Sequence, residues 1–280
     1  MNSELEKNNN DDIKFKHPFT CILAGPSGCG KSSFCIKFLQ HLASACTERD
    51  FEGGIIWCYS EKTAVPTSQL AALGKKKKIS FYEGVPENFA NAQGNPCLII
   101  LDDLLNEVYS EDVCNLFTKG SHHRNISVIL ITQNLFHQGR FCRDISLNAK
   151  YLVAFKNVRD KNQFHHLARQ VYPEDSEGLY KTYLHATKEP YSYILLAFSQ
   201  DTDDRLRFRT RILPGEGSPI IYTDIDDETH TVELQRPSSA QDSLSKTKKS
   251  HNIKRRKRAH KLYKRDHSKR LKRKSKAVRL

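Results

Sequence analysis

A glycine-rich segment that follows a short apolar run has the residue types and spacing to bind phosphate groups. It matches G-x-x-x-x-G-K-[ST], a pattern in which inward-pointing backbone N–H groups and the start of a helix hold phosphate oxygens. Lys31 is expected to reach the β- and γ-phosphates of ATP, and Ser32, in preference to Ser33, to bind Mg²⁺ beside them. The predicted phosphate-binding residues are Gly25, Pro26, Ser27, Gly28, Cys29, Gly30, Lys31, Ser32 and Ser33.

Two adjacent carboxylates, Asp102 and Asp103, end the apolar run 97–101. Ligands of α/β sheets bind beyond the carboxyl ends of the strands, so Asp102 is expected to lie beside the phosphate loop and to hold Mg²⁺. Asp103 is the candidate general base for the attacking water, and Glu107 is the reserve if the Asp103 side chain is too short. Capping of the helix beyond is the alternative role for the pair.

Three other residue types invite a chemical interpretation. Gln133 ends the apolar run 127–132, and its amide is a candidate sensor of the γ-phosphate, with capping of the strand end as the alternative. The thiol of Cys29 lies close to Lys31 in sequence and to a helix N-terminus, which predicts a lowered pKa and a reactive sulfur. Paired histidines at 122–123 and 165–166 lack further ligands at suitable spacing, so no metal besides nucleotide-bound Mg²⁺ is expected.

These residues require a sheet to position them. Apolar runs predict strands near 18–24, 54–60, 97–101, 127–132 and 151–155, and amphipathic segments between several of them predict helices, the first continuing to about Ala45. Segments 191–198 and 205–213 predict a β-hairpin at the sheet edge, and the pattern decays from Pro214. The expected fold is α/β, a P-loop NTPase of the RecA-like type. Its mainly parallel sheet is flanked by helices, with a C-terminal β-hairpin and a disordered basic tail.

The charge is divided unevenly along the chain. Segment 245–280 holds 18 Lys or Arg and one acid, Asp266, whereas 1–244 holds 27 basic and 31 acidic residues, a formal charge of −4. We therefore predict a disordered N-terminus (1–16), an ATPase domain (17–225), a linker (226–244) and a disordered basic tail (245–280) that addresses a polyanion. Lys75–Lys78 is a solvated edge or, alternatively, a second DNA contact.

Several features of the sequence bear on the cellular location of the protein. The eight cysteines form no C-x-x-C pair, and the polar N-terminus has no apolar signal region, which predicts an intracellular protein that is not secreted. No apolar run approaches the roughly 20 residues of a membrane span, so no membrane association is expected. The cluster Lys254–Arg258 has the composition of a nuclear localisation signal.

Several phosphate-loop classes are excluded by missing patterns. No Asn-Lys-x-Asp guanine reader and no Leu-Ser-Gly-Gly-Gln signature occur, which argues against a GTPase and a transporter cassette. The interval from Lys31 to Asp102, with two strand-like runs inside it and a further strand ending at Gln133, suits ring-forming motors that have an extra strand between the two anchor strands.

More specific segments resemble the genome-packaging ATPases of the FtsK/HerA superfamily. They are LDDL at 101–104, LFTKGSHHRNISV at 116–128, TQNLF at 132–136, ISLNA at 145–149 and FKNVRD at 155–160. The match is nearest to the Polinton/Maverick and adintovirus branch, which is related to the poxvirus-type packaging ATPases. It covers about residues 17–225 and does not include the basic tail.

The resemblance implies an ATP-driven motor that assembles with itself as a ring, a hexamer, and moves double-stranded viral DNA into a preformed capsid. A capsid or portal vertex protein would be its partner, and the host nucleus or the virion assembly site its location. Lys31 and Ser32 match the phosphate-loop pair, and Asp102 and Asp103 the Walker B acids. Gln133 matches the polar sensor. Arg124 matches an arginine that acts on the neighbouring subunit, with Arg140 and Arg143 as runners-up.

Two alternatives belong to other classes. A phosphate-loop kinase would need an acceptor site and an arginine-bearing lid, and the body of the chain offers no arginine-rich candidate for such a lid. A nucleotide-gated DNA-binding or scaffold protein would keep the basic tail but would not turn over ATP. Phosphate release from ATP without any acceptor would argue against both alternatives.

Overall fold

A computed structural model describes residues 12–60, 73, 78–86, 94–104, 110–121, 124–136, 141–224 and 230–233. The described strands are β1 (Thr20–Ala24), β2 (Gly54–Tyr59), β3 (Ile79–Glu83), β4 (Cys97–Asp102), β5 (Ile126–Thr132), β6 (Tyr151–Phe155), β7 (Tyr193–Ala197), β8 (Phe208–Thr210), β9 (Ile220–Asp224) and β10 (His230–Glu233). The described helices are α1 (Lys31–Gln40), α2 (Leu42–Ala45), α3 (Glu111–Asn115), α4 (Cys142–Leu147), α5 (Asn162–Val171) and α6 (Ser176–Ala186).

The strands form one sheet in the order β10-β9-β8-β7-β6-β1-β5-β4-β2-β3. All pairings from β6 to β3 are parallel, whereas β7, β8, β9 and β10 add to the β6 edge in antiparallel fashion. Strand β5 lies between β1 and β4, which are the strands that precede the phosphate loop and end in Asp102. The predicted α/β class, the mainly parallel sheet and the β7–β8 hairpin are therefore confirmed.

The sheet is covered on both faces, which explains why its central strands are continuous apolar runs. Every residue of β1 is buried, and successive side chains point to opposite faces. Cys21 and Leu23 belong to the cluster that contains Phe34 and Phe38 of α1. Ile22 belongs to the opposite cluster, which contains residues of α5 and α6. Helix α1, which follows the phosphate loop directly, is thus fixed to the sheet by its buried face.

Several boundaries differ from the sequence-based expectations. The predicted helix to Ala45 is interrupted at His41, after which the short helix α2 begins. Helix α3 starts at the cap Ser110, whose hydroxyl accepts a hydrogen bond from Val113 N, and continues as a π-helical turn over Leu116–Gly120. Strands β9 and β10 follow Pro214, where the apolar pattern had predicted no further strand. None of the described helices is long and apolar enough to cross a bilayer.

The predicted domain start at residue 17 lies inside a packed region. Phe15 is 2% exposed, and its ring contacts Phe19, Phe38 and Tyr151. Its backbone N–H donates to Ala45 O at 2.9 Å. Residues 12–16 therefore pack against the same face of the sheet as α1, although their polar composition had grouped them with the N-terminal segment.

Candidate nucleotide-binding site

The phosphate loop connects the buried end of β1 to the first residue of α1. Gly30 caps α1 with a φ of 106°, a left-handed conformation that glycine adopts at little cost. A Cβ atom on Gly25 would lie 2.8 Å from Cys29 Sγ and 2.8 Å from Phe155 Cβ, so only glycine fits there. Pro26 lies part-exposed next to Ser27, which is exposed. The loop thus presents its backbone to solvent at the amino end of α1, where phosphate oxygens bind well.

The ammonium group of Lys31 lies within this loop. Its Nζ donates to Gly25 O at 2.5 Å and to Pro26 O at 3.0 Å, and the residue is only 8% exposed. These carbonyl oxygens hold a cation at the loop centre, although they do not neutralise it. A triphosphate entering the loop would offer oxygens that carry full negative charge, to which charge-assisted hydrogen bonds are stronger.

Ser32 and Asp102 meet where the sequence predicted the metal to bind. Ser32 Oγ donates to Asp102 Oδ2 at 3.3 Å and to Oδ1 at 3.5 Å, whereas the neighbouring Ser33 is exposed. Asp102 is 5% exposed, and burial raises its pKa to about 6, opposed by hydrogen bonds from Trp57 and Ser32. A hydroxyl and one carboxylate fit Mg²⁺, which usually takes few protein ligands together with nucleotide phosphates and water.

Asp103 and Gln133, the two candidate catalytic side chains from neighbouring strand ends, contact each other. Gln133 Nε2 donates to Asp103 Oδ2 at 2.9 Å. Gln133 is exposed and Asp103 is partly exposed, so water reaches both. Asp103 has a φ of 49°, a left-handed conformation that aspartate tolerates better than most residues. This turn directs the Asp103 carboxylate towards the β5 end instead of continuing the strand alternation.

The arginine candidates lie apart from this cluster. Arg124 is exposed and precedes β5, so it lies at the amino end of this strand. The phosphate loop follows the carboxyl end of the neighbouring parallel strand β1. The seven residues of β5 span about 20 Å at ~3.3 Å per residue, so Arg124 cannot reach the phosphate loop of its own chain. Arg143 lies on α4. Arg140 and Glu107 lie outside the described residues.

Trp57 is a site residue that the sequence analysis missed. It is fully buried in β2, and its indole Nε1 donates to Asp102 Oδ2 at 3.3 Å. The sequence carried one usable signal, because a buried indole N–H needs an acceptor and β2 was predicted to be buried. The sequence does not show that β2 lies next to β4, so Asp102 could not be identified as the acceptor.

The prediction of a reactive Cys29 is wrong. Its Sγ lies 4.0 Å from Lys31 Nζ, as the sequence proximity suggested. Burial nevertheless raises the pKa of the Cys29 thiol, and this effect exceeds the opposing influence of Lys31. All eight cysteines are buried.

Comparisons with known proteins identify similar solved structures at low sequence identity. No family model and no curated protein match the chain. It is similar to the genome packaging NTPase B204 of Sulfolobus turreted icosahedral virus 2, in a complex with sulfate (15% identity, TM-score 0.44, 68% of this chain and 93% of that chain). It is also similar to the KaiC-like protein PH0186 of Pyrococcus horikoshii OT3 (15%, 0.39, 74% and 91%). The flagellar accessory protein FlaH of Methanocaldococcus jannaschii is similar as well (15%, 0.37, 54% and 76%).

The chemistry of the site follows from its own geometry. One strand end supplies a phosphate-binding loop with a buried lysine, the next supplies Gln133, and the third supplies the adjacent carboxylates. This arrangement can hold a metal-bound triphosphate against the loop while a carboxylate and an amide face the water beyond it.

Proposed function

We propose that this protein is an ATPase that works as a ring-shaped motor and moves double-stranded viral DNA into a capsid. The observation that carries the hydrolysis part is the pair of contacts at adjacent strand ends. Ser32 meets Asp102 at 3.3 Å on the metal side, and Gln133 meets Asp103 at 2.9 Å on the water side. A site for binding alone would need only the first pair, whereas the second pair would serve to orient an attacking water.

The ring assembly is supported by the position of Arg124. Phosphoryl transfer gains strongly from an arginine that neutralises charge in the transition state, and such an arginine can come from a neighbouring molecule. Arg124 is exposed at the amino end of β5, remote from the phosphate loop of its own chain. The resemblance to packaging ATPases implies a hexameric ring. In such a ring, the surface that carries Arg124 would face the nucleotide site of the next subunit.

Double-stranded DNA is proposed as the substrate because of the basic tail and the resemblance to packaging ATPases. The tail has 18 cationic residues, which suit phosphate contacts that do not depend on base sequence. A capsid or portal vertex protein would receive the DNA. The motor would act in the host nucleus or at the virion assembly site, to which the cluster Lys254–Arg258 would direct it.

The test is the ATPase rate of the full chain, with and without double-stranded DNA, on material sized by light scattering. The motor predicts phosphate release without any acceptor, stimulation by DNA, and activity only in the oligomeric fraction. A phosphate-loop kinase would transfer the γ-phosphoryl group to an acceptor and would release no phosphate in the absence of one. A nucleotide-gated scaffold would bind Mg²⁺–ATP without turnover, and either result would overturn the proposal.

A further inference from the structure

A cavity of about 480 Å³ opens beside the amino end of α1. Its volume is in the range of sites that enclose small molecules. One wall consists of the end of the phosphate loop and the first turns of α1, from Gly28 to Lys37, and the other wall carries aromatic residues and one acid. A triphosphate bound at Lys31 would use only the loop end of this space. The remaining volume is directly beside that position and is available to the sugar and base of a nucleotide.

Tyr191 stands at the mouth of this cavity with a free aromatic ring. It is 71% exposed, and no ring contact between described residues involves it. Its Cβ lies 3.6 Å from the position of a Cβ atom built on Gly30, so the residue contacts the end of the phosphate loop. Its φ of 61° is unusual for a bulky side chain, and such conformations cluster at binding sites.

The other aromatic residues of the cavity are already occupied by packing. Phe34, Phe155 and Tyr193 contact one another with ring centroids 5.1 to 6.0 Å apart, and all three are buried. They form a rigid floor beneath the cavity. Tyr191 is therefore the aromatic residue of this cavity that has a ring face available to a ligand.

Polar groups complete the opposite side of the cavity. Glu216 Oε2 accepts hydrogen bonds from Tyr193 OH at 2.6 Å and from Leu213 N at 3.2 Å, which fixes the carboxylate. Its second oxygen lies 3.5 Å from Lys37 Nζ. The cavity thus offers an acceptor and a donor to the hydroxyl and amino groups of a nucleoside, in addition to an apolar ring face.

We propose that Tyr191 is the platform on which the base of the bound nucleotide stacks, and that it makes the site favour purine over pyrimidine nucleotides. This inference rests on the nucleotide binding proposed above. Stacking on an aromatic side chain uses the π-face of the base, and a two-ring base covers more of the tyrosine than a one-ring base. The exposed position of Tyr191 leaves room for a base to enter from solvent.

The test compares Tyr191→Phe with Tyr191→Gly in the full chain by calorimetric titration with Mg²⁺–ATP, Mg²⁺–CTP and inorganic tripolyphosphate. The phenylalanine variant keeps the ring and should bind ATP like the wild type. The glycine variant should lose roughly 5- to 150-fold in ATP affinity, the worth of one stacked base. Its preference for ATP over CTP should fall towards one, whereas its tripolyphosphate affinity should not change.

Glycine suits this position because it adopts a positive φ readily, so the variant should fold. Tyr82→Ala is the matched control, because Tyr82 is another exposed tyrosine on the remote edge strand β3. Unchanged ATP affinity in Tyr191→Gly would overturn the platform. Equal losses for ATP and tripolyphosphate would overturn it too, because Tyr191 would then only support the phosphate loop. If the wild type bound neither ligand, the proposed nucleotide binding itself would fail.

Discussion

Burial and hydrogen bonding have opposite effects on the pKa of Asp102. Its carboxylate is buried beneath the phosphate loop and accepts hydrogen bonds from two neutral donors, Ser32 and Trp57. These bonds do not offset the loss of hydration, so the pKa of Asp102 rises to about 6. A bound Mg²⁺ would provide the charge that this carboxylate lacks. In the ligand-free protein the buried charge of Asp102 therefore lowers the free energy of unfolding, and a metal-bound nucleotide would remove this effect.

The substitution Asp102→Asn should consequently stabilise the ligand-free protein at pH 7 while it abolishes Mg²⁺-dependent hydrolysis. The pKa of Asp102 is raised from 3.8 to about 6, so burial of its charged form lowers the free energy of unfolding by about 2–3 kcal/mol at neutral pH. This cost is present above pH 6 and disappears as pH falls through 6 towards 4. The stabilisation should therefore vanish near pH 4, as measured by denaturant unfolding at both pH values.

Asp50→Asn provides a matched control, because Asp50 is an exposed carboxylate. It should change the free energy of unfolding by less than about 0.5 kcal/mol at either pH. If Asp102→Asn were instead destabilising at pH 7, the hydrogen bonds from Trp57 and Ser32 would outweigh the cost of burial.

Asp103→Asn should separate nucleotide binding from turnover. Asparagine also tolerates the positive φ of this position, and its Oδ1 can still accept from Gln133 Nε2. Mg²⁺–ATP affinity should remain within a few-fold of the wild type, since Ser32 and Asp102 are untouched. The rate of turnover should fall by roughly 10²–10⁴, the usual contribution of a general base. Near-normal turnover would assign the base to Glu107.

The positions of patterned residues in the fold could be predicted from the sequence, whereas burial could not. The phosphate loop, Asp102 and Gln133 lie at strand ends, as their spacing predicted, and their roles stay predictions. The Cys29 thiol was wrongly predicted to be reactive, because charge proximity is visible in a sequence whereas desolvation is not. Trp57 belongs to no pattern, and only the pairing of β2 with β4 brings its indole to Asp102.

At the scale of elements, the parallel half of the sheet was predictable and the antiparallel edge only in part. The central strands are apolar on both faces, so each is a recognisable run bounded by turn residues. Strand β10 is short and partly polar, and its pairing with β9 makes it a strand. Strand β9 (Ile220–Asp224) is as long as β1, and its residues Ile-Ile-Tyr-Thr favour a strand, so the sequence carried a signal there that was overlooked.

Strand β5 connects Arg124 at its amino end with Gln133 at its carboxyl end, and in the proposed ring these two residues would serve different subunits. Its carboxyl end leads to Gln133 and its amino end follows Arg124, about 20 Å away by ~3.3 Å per residue. If Arg124 acts on the neighbouring site, Arg124→Ala and Lys31→Ala should each be inactive alone. A mixture should regain activity, because some interfaces then join an intact loop to an intact arginine. The measurement is the ATPase rate of mixtures at fixed total protein.

The double variant Lys31→Ala/Arg124→Ala is the control, because mixing it with either single variant creates no complete interface. Such mixtures should stay inactive. Absence of recovery in the first mixture, with co-assembly demonstrated by co-purification of differently tagged subunits, would move the role to Arg140 or Arg143.

At the scale of the whole molecule, charge divides the chain into two unlike parts. Segment 1–244 carries a formal charge of −4, whereas 245–280 carries 18 basic residues and one acid. The basic tail lies outside the described residues, as do Lys75–Lys77. Composition predicted this division directly, because net charge needs no fold to be counted. Assembly into a ring is not encoded in any local pattern, so the proposal of a ring depends on the resemblance.

Deletion of 245–280 should flatten the salt dependence of DNA binding and leave basal ATPase activity intact. If 6–10 tail cations meet phosphates, the affinity of the full chain for double-stranded DNA should fall by roughly 10³–10⁵ between 50 and 200 mM salt. All residues of the nucleotide site precede the deleted segment. Binding isotherms at four salt concentrations measure the slope for both proteins.

Replacement of Lys254–Arg258 by glutamine keeps the chain length and should reduce the slope partially. An unchanged slope in the deletion variant would transfer the DNA contact to the folded domain, where Lys75–Lys78 would be the next candidate.

The contact between Trp57 and Asp102 gives the protein an internal optical reporter. Trp57 is the single tryptophan of the chain, and its indole is fully buried with its N–H on the carboxylate assigned to the metal. Intrinsic fluorescence excited at the indole therefore arises from one position, adjacent to the candidate metal site. A cation bound at Asp102 would draw electron density from its carboxylate, which would weaken the hydrogen bond to the indole and change the emission. Without any label, this change would report the fraction of chains that hold a metal-bound nucleotide.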